Sequence, residues 1–133
     1  MYNYKTEPFK HQRQALREGA KDYNFAYFME MGTGKTKVAI DNAAYLYQEQ
    51  RIDFAFVIAP NSVYQNWKKE IDFHCPEETN IYIWKVTKDK TFKLDPKKLT
   101  FILMNVEALS HASGKKWLEY KLLKHGMRSM VIL

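Results

Sequence analysis

The residues whose types and spacing point most clearly to a chemical function lie between Met29 and Thr36. This segment reads MEMGTGKT, in which two glycines precede a lysine and a threonine. Glycine at positions 32 and 34 allows the backbone to turn so that consecutive N–H groups point at one phosphate. The ammonium of Lys35 can reach β- and γ-phosphates, and the hydroxyl of Thr36 is a ligand for Mg²⁺. The pattern therefore predicts a site for a nucleoside triphosphate and its magnesium ion.

A phosphate loop needs a strand before it and a helix after it. The apolar segment 24–29, NFAYFM, predicts the strand, and helical spacing of apolar residues from Lys35 to Glu49 predicts the helix. The N-terminus of this helix adds partial positive charge beside a phosphate. The general pattern GxxxxGK[ST] has glycine where Met29 stands, and the alternative is a glycine turn followed by an unrelated lysine. The context favours nucleotide binding, by Met31, Gly32, Thr33, Gly34, Lys35 and Thr36.

Strands and helices alternate along the chain. Apolar runs predict strands at 54–59, 81–86, 101–104 and 130–133. One helix is predicted at 8–20, with Thr6 as its N-cap, and another at 115–125. A further helix is predicted to begin at a capping box formed by Ser62 and Gln65. The run 54–59, FAFVIA, is apolar throughout, as in a strand buried on both faces of a parallel sheet. This order predicts an α/β domain with a mostly parallel sheet flanked by helices.

The composition bounds the class of protein. A length of 133 residues fits one domain, and a single cysteine, Cys75, excludes an internal disulfide. The sequence has no apolar run near the ~20 residues that span a bilayer, and its N-terminus is too polar for a signal peptide. We therefore expect a cytoplasmic protein without a membrane partner. The net charge of +6 favours a polyanionic partner, although a merely soluble basic surface would have the same balance.

Four segments, in the same order, resemble motifs of the superfamily 2 helicases, most closely those of the Swi/Snf-like branch. MEMGTGKT is similar to the first motif of that branch, DEMGLGKT, which also lacks the first glycine. Residues 57–62, VIAPNS, followed by Asn66 and Trp67, resemble its motif Ia, roughly CPxSLLxNW. Residues 101–109, FILMNVEAL, resemble motif Ib, and residues 8–12, PFKHQ, resemble the upstream segment that recognises adenine.

The resemblance implies a RecA-like domain of an ATP-dependent DNA helicase or translocase, with ATP and Mg²⁺ as ligands. It implies that Gln12 reads adenine, because a carboxamide donates and accepts at once, although a glutamine on an exposed helix face is usually only solvated. It implies that Lys35 and Thr36 act in hydrolysis, with Mg²⁺ on Thr36. The residues implied to contact DNA, duplex or single-stranded, are Pro60, Asn61, Ser62 and Asn105.

The resemblance covers residues 1–133 as a partial first RecA-like domain. In the family, the strand matched by 130–133 leads into an acidic Asp-Glu box, so we expect this box and a second RecA-like domain to lie outside the chain. We therefore expect the fragment alone to be inactive as an ATPase and to self-associate, while the parent is a monomeric motor from a bacterium or phage. The alternatives are a small-molecule P-loop kinase and a non-catalytic ATP- or DNA-binding module.

Overall fold

The computed structural model describes residues 2–19, 34–84, 97–105 and 107, together with the backbone of 129–132. The helices are α1 (Lys10–Gly19), α2 (Lys35–Gln48) and α3 (Tyr64–His74), and a 3₁₀ turn spans Asn61–Val63. The strands are β1 (Phe54–Ile58), β2 (Thr79–Ile83), β3 (Leu99–Met104) and β4 (Ser129–Ile132). The strand predicted at 24–29, the helix predicted at 115–125 and loop residues 31–33 lie outside the described residues.

The four described strands form one parallel sheet in the order β2-β3-β1-β4. In its register Ala55 of β1 lies between Phe101 of β3 and Met130 of β4. All six residues of β3 are buried, as are the first four of β1. Continuous burial of this kind requires cover on both faces of the sheet, which explains the uninterrupted apolar runs in the sequence. The predicted α/β fold with a parallel sheet is confirmed.

The main core lies between the sheet and the helices α2 and α3. Ile40 and Ala43 of α2 and Ile71 of α3 are fully buried in one cluster with residues of β1 and β3. Each large aliphatic side chain buried in this way contributes about 1.5–3 kcal/mol. Residues 49–53 connect the end of α2 to the start of β1, so the first turn of α2 lies toward the carboxyl edge of the sheet. Ligands bind at this edge in open α/β sheets.

Both predicted helix caps are wrong. The first helix begins at Lys10, because the N–H of Arg13 donates to the carbonyl of Phe9 at 3.1 Å and makes Phe9 the N-cap. The hydroxyl of Thr6 instead forms a 2.6 Å hydrogen bond with Nδ1 of His74. Helix α3 begins only at Tyr64, and no described side chain caps it.

Backbone hydrogen bonds explain why the capping box predicted at Ser62 is absent and why β2 has other ends than predicted. Ser62 lies in the 3₁₀ turn, where the N–H of Val63 already donates to the carbonyl of Pro60 at 3.1 Å. The third predicted strand, 81–86, is observed as β2 at 79–83, because it follows the whole of its neighbour from Leu99 to Leu103. The prediction followed the apolar residues, whereas the observed strand pairing also includes the polar residues Thr79 and Asn80 before them.

A buried ion pair joins the N-terminal segment to α2. Nζ of Lys37 lies 2.8 Å from Oδ2 of Asp41, and the two side chains are only 5% and 2% exposed. Lys37 also donates to the carbonyl of Thr6 at 3.1 Å, and the hydroxyl of Tyr2 donates to Oδ1 of Asp41 at 2.6 Å. We call residues Tyr2–Phe9 the N-terminal strap. Burial of two charges is tolerated here because each has a partner of opposite charge and further hydrogen bonds.

Replacement of Asp41 by leucine is expected to lower the free energy of unfolding by about 3–5 kcal/mol, because it leaves the ammonium of Lys37 buried without its counter-charge. The double variant Lys37→Met/Asp41→Leu is expected to have a free energy of unfolding within about 1 kcal/mol of the wild-type value, or above it. Urea unfolding of both variants measures the difference. A single variant as stable as the wild type would show that the pair is solvated in solution.

Candidate functional site

Helix α2 begins at a glycine in the left-handed conformation. Gly34 has φ 80° and ψ 36°, and its carbonyl accepts the N–H of Val38 at 3.2 Å. Side chains resist this conformation, so the turn into the helix depends on glycine. The next residue, Lys35, is exposed, and Thr36 is half-buried. The described part of the phosphate loop thus presents an ammonium and a hydroxyl at the positive end of a 14-residue helix.

The structure brings Gln12 to this turn. Its Nε2 donates to the carbonyl of Gly34 at 3.4 Å, across 22 positions of sequence. Its Oε1 accepts the N–H of Phe9 at 2.8 Å. Only 6% of Gln12 is exposed, so the alternative of a solvated glutamine on an open helix face is wrong. Two groups that the sequence predicted for nucleotide binding therefore lie in contact.

The contact leaves no room for a side chain at Gly34. A Cβ built on this glycine would collide with Nε2 of Gln12. Glycine is therefore needed at this position for two independent reasons, the positive φ angle and the close approach of the carboxamide. The sequence motif indicated the first reason, and only the packing of α1 against α2 reveals the second.

The residues predicted to contact DNA lie together at the carboxyl edge of the sheet. Pro60, Asn61 and Ser62 follow β1 and are exposed. Asn105 follows β3, the strand that pairs with β1, and its Nδ2 donates to Oδ1 of Asn61 at 2.9 Å. The resemblance implied DNA contact for each of these residues, and the parallel register places two of them in direct contact. Trp67 packs against the core.

Two polar groups at the two ends of α3 are unsuited to acid–base or nucleophilic work. Burial, and then the charge of Glu107, raises the pKa of Tyr64, which stays neutral at physiological pH. Burial raises the pKa of the Cys75 thiol to about 11, so it carries little reactive thiolate. Helix α3 ends at His74, and Cys75 is its C-cap residue.

The described ranges contain neither a helix long and apolar enough to cross a membrane nor a group of three or more His, Cys, Asp and Glu side chains that could hold a metal ion.

Sequence reasoning missed the role of the N-terminal strap. A signal for its anchor was present, because Lys37 and Asp41 stand four residues apart on one helix, the spacing of an ion pair. Such pairs are usually exposed, and nothing in the spacing indicated that both charges would be buried under Tyr2 and Tyr4. The ammonium of Lys37 lies 5.1 Å from the centre of the Tyr4 ring.

A parallel sheet flanked by helices, with a left-handed glycine opening a Lys-Thr helix, defines the class of RecA-like P-loop domains. Residues 5–133 match the family described as the type III restriction enzyme, res subunit. Because the match covers nearly the whole sequence, the chain belongs to this family.

Curated relatives confirm the resemblance to the Swi/Snf-like branch. The chain is 36% identical to the chromatin-remodeling ATPase INO80 of Arabidopsis thaliana over 74 residues, which are 53% of this chain and 5% of that protein. It is 45% identical over 47 residues, 35% of this chain, to the human SWI/SNF-related matrix-associated actin-dependent regulator of chromatin subfamily A containing DEAD/H box 1, of which this is 5%. INO80 of Schizosaccharomyces pombe is 44% identical over 62 residues, 46% of this chain and 4% of that protein. The chain thus spans about 5% of the length of these relatives.

The variant Gly34→Ala is expected to lower the free energy of unfolding by about 1–3 kcal/mol, through a strained φ and the collision with Gln12. In the background Gln12→Ala the same substitution should cost less, because only the φ strain remains. Urea unfolding of the four proteins gives the coupling energy between the two positions. Strictly additive effects would contradict the contact.

Proposed function

We propose that this chain is the ATP-binding part of the first RecA-like domain, residues 1–133, of an ATP-dependent DNA helicase or translocase. The observation that carries the proposal is the contact of the Gln12 carboxamide with Gly34 at the start of α2. This contact places a group able to recognise adenine beside groups able to hold phosphates. The relatives named as chromatin-remodeling ATPases support ATP as the nucleotide.

The residues at the start of α2 fit a nucleotide and its magnesium ion. Lys35 is exposed at the helix N-terminus, where its charge would stabilise negative charge that develops on the γ-phosphate. The hydroxyl of Thr36 is the type of oxygen ligand that Mg²⁺ prefers. When bound, the metal ion would neutralise charge on the phosphate oxygens. Gly34 and the remaining loop residues, Met31, Gly32 and Thr33, would supply backbone N–H groups to the phosphates.

The carboxyl edge of the sheet is proposed to hold the DNA backbone. Asn61 and Ser62 stand in an exposed turn, and Asn105 is bonded to Asn61, so hydrogen-bonding groups from two strand ends share one surface with Pro60. Backbone and polar side-chain groups of this kind contact phosphate and carry no sequence information. The net charge of +6 adds attraction to a polyanion.

The two alternatives differ in how much of this geometry they explain. A small-molecule kinase would need the phosphate loop, but it gives no reason for the contact between Asn61 and Asn105. A non-catalytic ATP- or DNA-binding module would share every feature, and turnover by the full-length protein distinguishes it. Several further expectations stay predictions: the bacterial or phage source, cytoplasmic location, monomeric parent, and inactivity and self-association of the fragment.

We expect Lys35→Ala to abolish ATP hydrolysis by the full-length protein while leaving its melting temperature unchanged, because the side chain is exposed and supports no core. Lys69→Ala, which removes an exposed lysine from α3, is the matched control and should retain activity. ATPase assays and thermal melts compare the three proteins. Turnover within a few-fold of wild type in Lys35→Ala would refute the catalytic assignment.

DNA binding is expected to weaken steeply with salt and to show little preference for sequence, because its contacts are to phosphate. Asn61→Asp should reduce affinity about tenfold at low salt, since it places a negative charge beside a phosphate, whereas Asn80→Asp on β2 makes the same change of charge elsewhere. Titrations of two unrelated duplexes at several salt concentrations measure both effects. A flat salt response, a sequence preference above about a hundredfold, or equal effects of the two variants would count against this surface.

A further inference from the structure

The N-terminal strap is held by two helices. On α2, Lys37 donates to the carbonyl of Thr6 at 3.1 Å. On α3, His74 is bonded to the Thr6 hydroxyl at 2.6 Å, and the carbonyl of Asp72 accepts Nζ of Lys5 at 2.6 Å. The Lys37 side chain is buried and this bond is part-buried, so water competes little for it. The strap therefore has a defined position relative to the phosphate-loop helix.

The strap ends at Phe9, which orients the carboxamide of Gln12. The Phe9 N–H donates to Oε1, and Nε2 donates to the carbonyl of Gly34. If the carboxamide were rotated by half a turn, its NH₂ group would face the N–H of Phe9 and its oxygen would face the oxygen of Gly34. Both contacts would then pair like with like, so one orientation is selected.

We propose that the strap sets the nucleobase specificity of the site by holding Gln12 in this orientation, with Lys37 and Asp41 as positioning residues. The inference rests on the proposed ATP site. After its bonds to described residues, each end of the carboxamide retains one hydrogen-bonding position, a lone pair on Oε1 and a hydrogen on Nε2. Adenine offers a donor at N6 and an acceptor at N7, which match this pair, whereas guanine offers acceptors at both O6 and N7. A glutamine free to rotate would lose part of this discrimination.

One substitution removes the first of the two bonds that orient Gln12. Phe9→Pro eliminates the N–H, and the ring that it removes is 70% exposed, so little packing is lost. Position 9 precedes the first residue of α1, so proline there removes no N–H from the hydrogen bonds within the helix. Phe9→Ala is the matched control, since it removes the same ring and its stacking on His11 but keeps the N–H.

The experiment measures dissociation constants for ATP and GTP with the full-length protein and these two variants. We expect the ratio of GTP to ATP dissociation constants to fall about tenfold in Phe9→Pro, the effect of one hydrogen bond, and to stay at the wild-type value in Phe9→Ala. An unchanged ratio in Phe9→Pro overturns the proposal. An equal fall in Phe9→Ala also overturns it, because the ring itself would then be the determinant.

A second pair of variants changes the buried residues of α2 that hold the strap. It tests the positioning role of the strap even if Phe9→Pro does not fold. Lys37→Met/Asp41→Leu removes the bond to Thr6 while filling the buried space, and it should lower the ratio while its free energy of unfolding stays within about 1 kcal/mol of the wild-type value or rises. Tyr2→Phe removes a hydroxyl from the same cluster but keeps the Lys37 bond, and it should retain the ratio. A folded double variant with the wild-type ratio would reject the positioning role.

Failure of the proposed function gives a different result. If the wild-type protein binds neither nucleotide, or if Lys35→Ala binds and hydrolyses ATP normally, the site itself is misassigned. If the wild type prefers ATP and all four variants keep that preference, the site stands and only the role of the strap is rejected.

Discussion

The absence of a side chain at Gly34 allows Gln12 of α1 to lie directly against the start of α2, at the candidate nucleotide site. The carboxamide of Gln12 occupies the space that a Cβ would fill, and the positive φ of the same residue turns the chain into α2. One glycine therefore controls both the conformation of the phosphate loop at its end and the distance between α1 and α2. Groups for a nucleobase and for phosphates lie side by side only because this approach is possible.

Two neighbouring lysines of α2 have opposite environments, for a clear electrostatic reason. Lys35 is exposed at the first position of the helix, whereas Lys37 is buried. Burial of an ammonium costs several kcal/mol unless a counter-charge and further acceptors replace its water. Asp41 supplies the counter-charge, and the strap supplies a carbonyl from Thr6 and the face of the Tyr4 ring. The strap is consequently part of the fold of α2 rather than a loose terminus.

The parallel register accounts for the second candidate surface. Because β1 and β3 are neighbours that end at the same level, with Ile58 opposite Met104, the residues just after them meet. Asn61 and Asn105 are 44 positions apart and still share a hydrogen bond. The turn proposed to bind the nucleotide and this polar edge both lie toward the carboxyl ends of the strands, where parallel α/β sheets bind their ligands.

The sequence by itself determined the class of fold, the start of α2 and the family. Continuous apolar runs at β1 and β3 have one physical explanation, a strand covered on both faces, and the Gly-Lys-Thr turn has few uses besides phosphate binding. It also indicated which residues near the ends of β1 and β3 belong together, through the resemblance to helicase motifs.

Only the tertiary structure decided how the polar groups are satisfied. Thr6 and Ser62 have side chains typical of helix caps. The hydroxyl of Thr6 instead bonds to His74, which is distant in sequence, and a backbone hydrogen bond in the 3₁₀ turn replaces a cap by Ser62. Burial of Lys37 and the fixed orientation of Gln12 depend on segments that are far apart in sequence. Local patterns report propensity and periodicity, whereas hydrogen-bond partners and desolvation are set by whatever the fold brings near, and that information is not local.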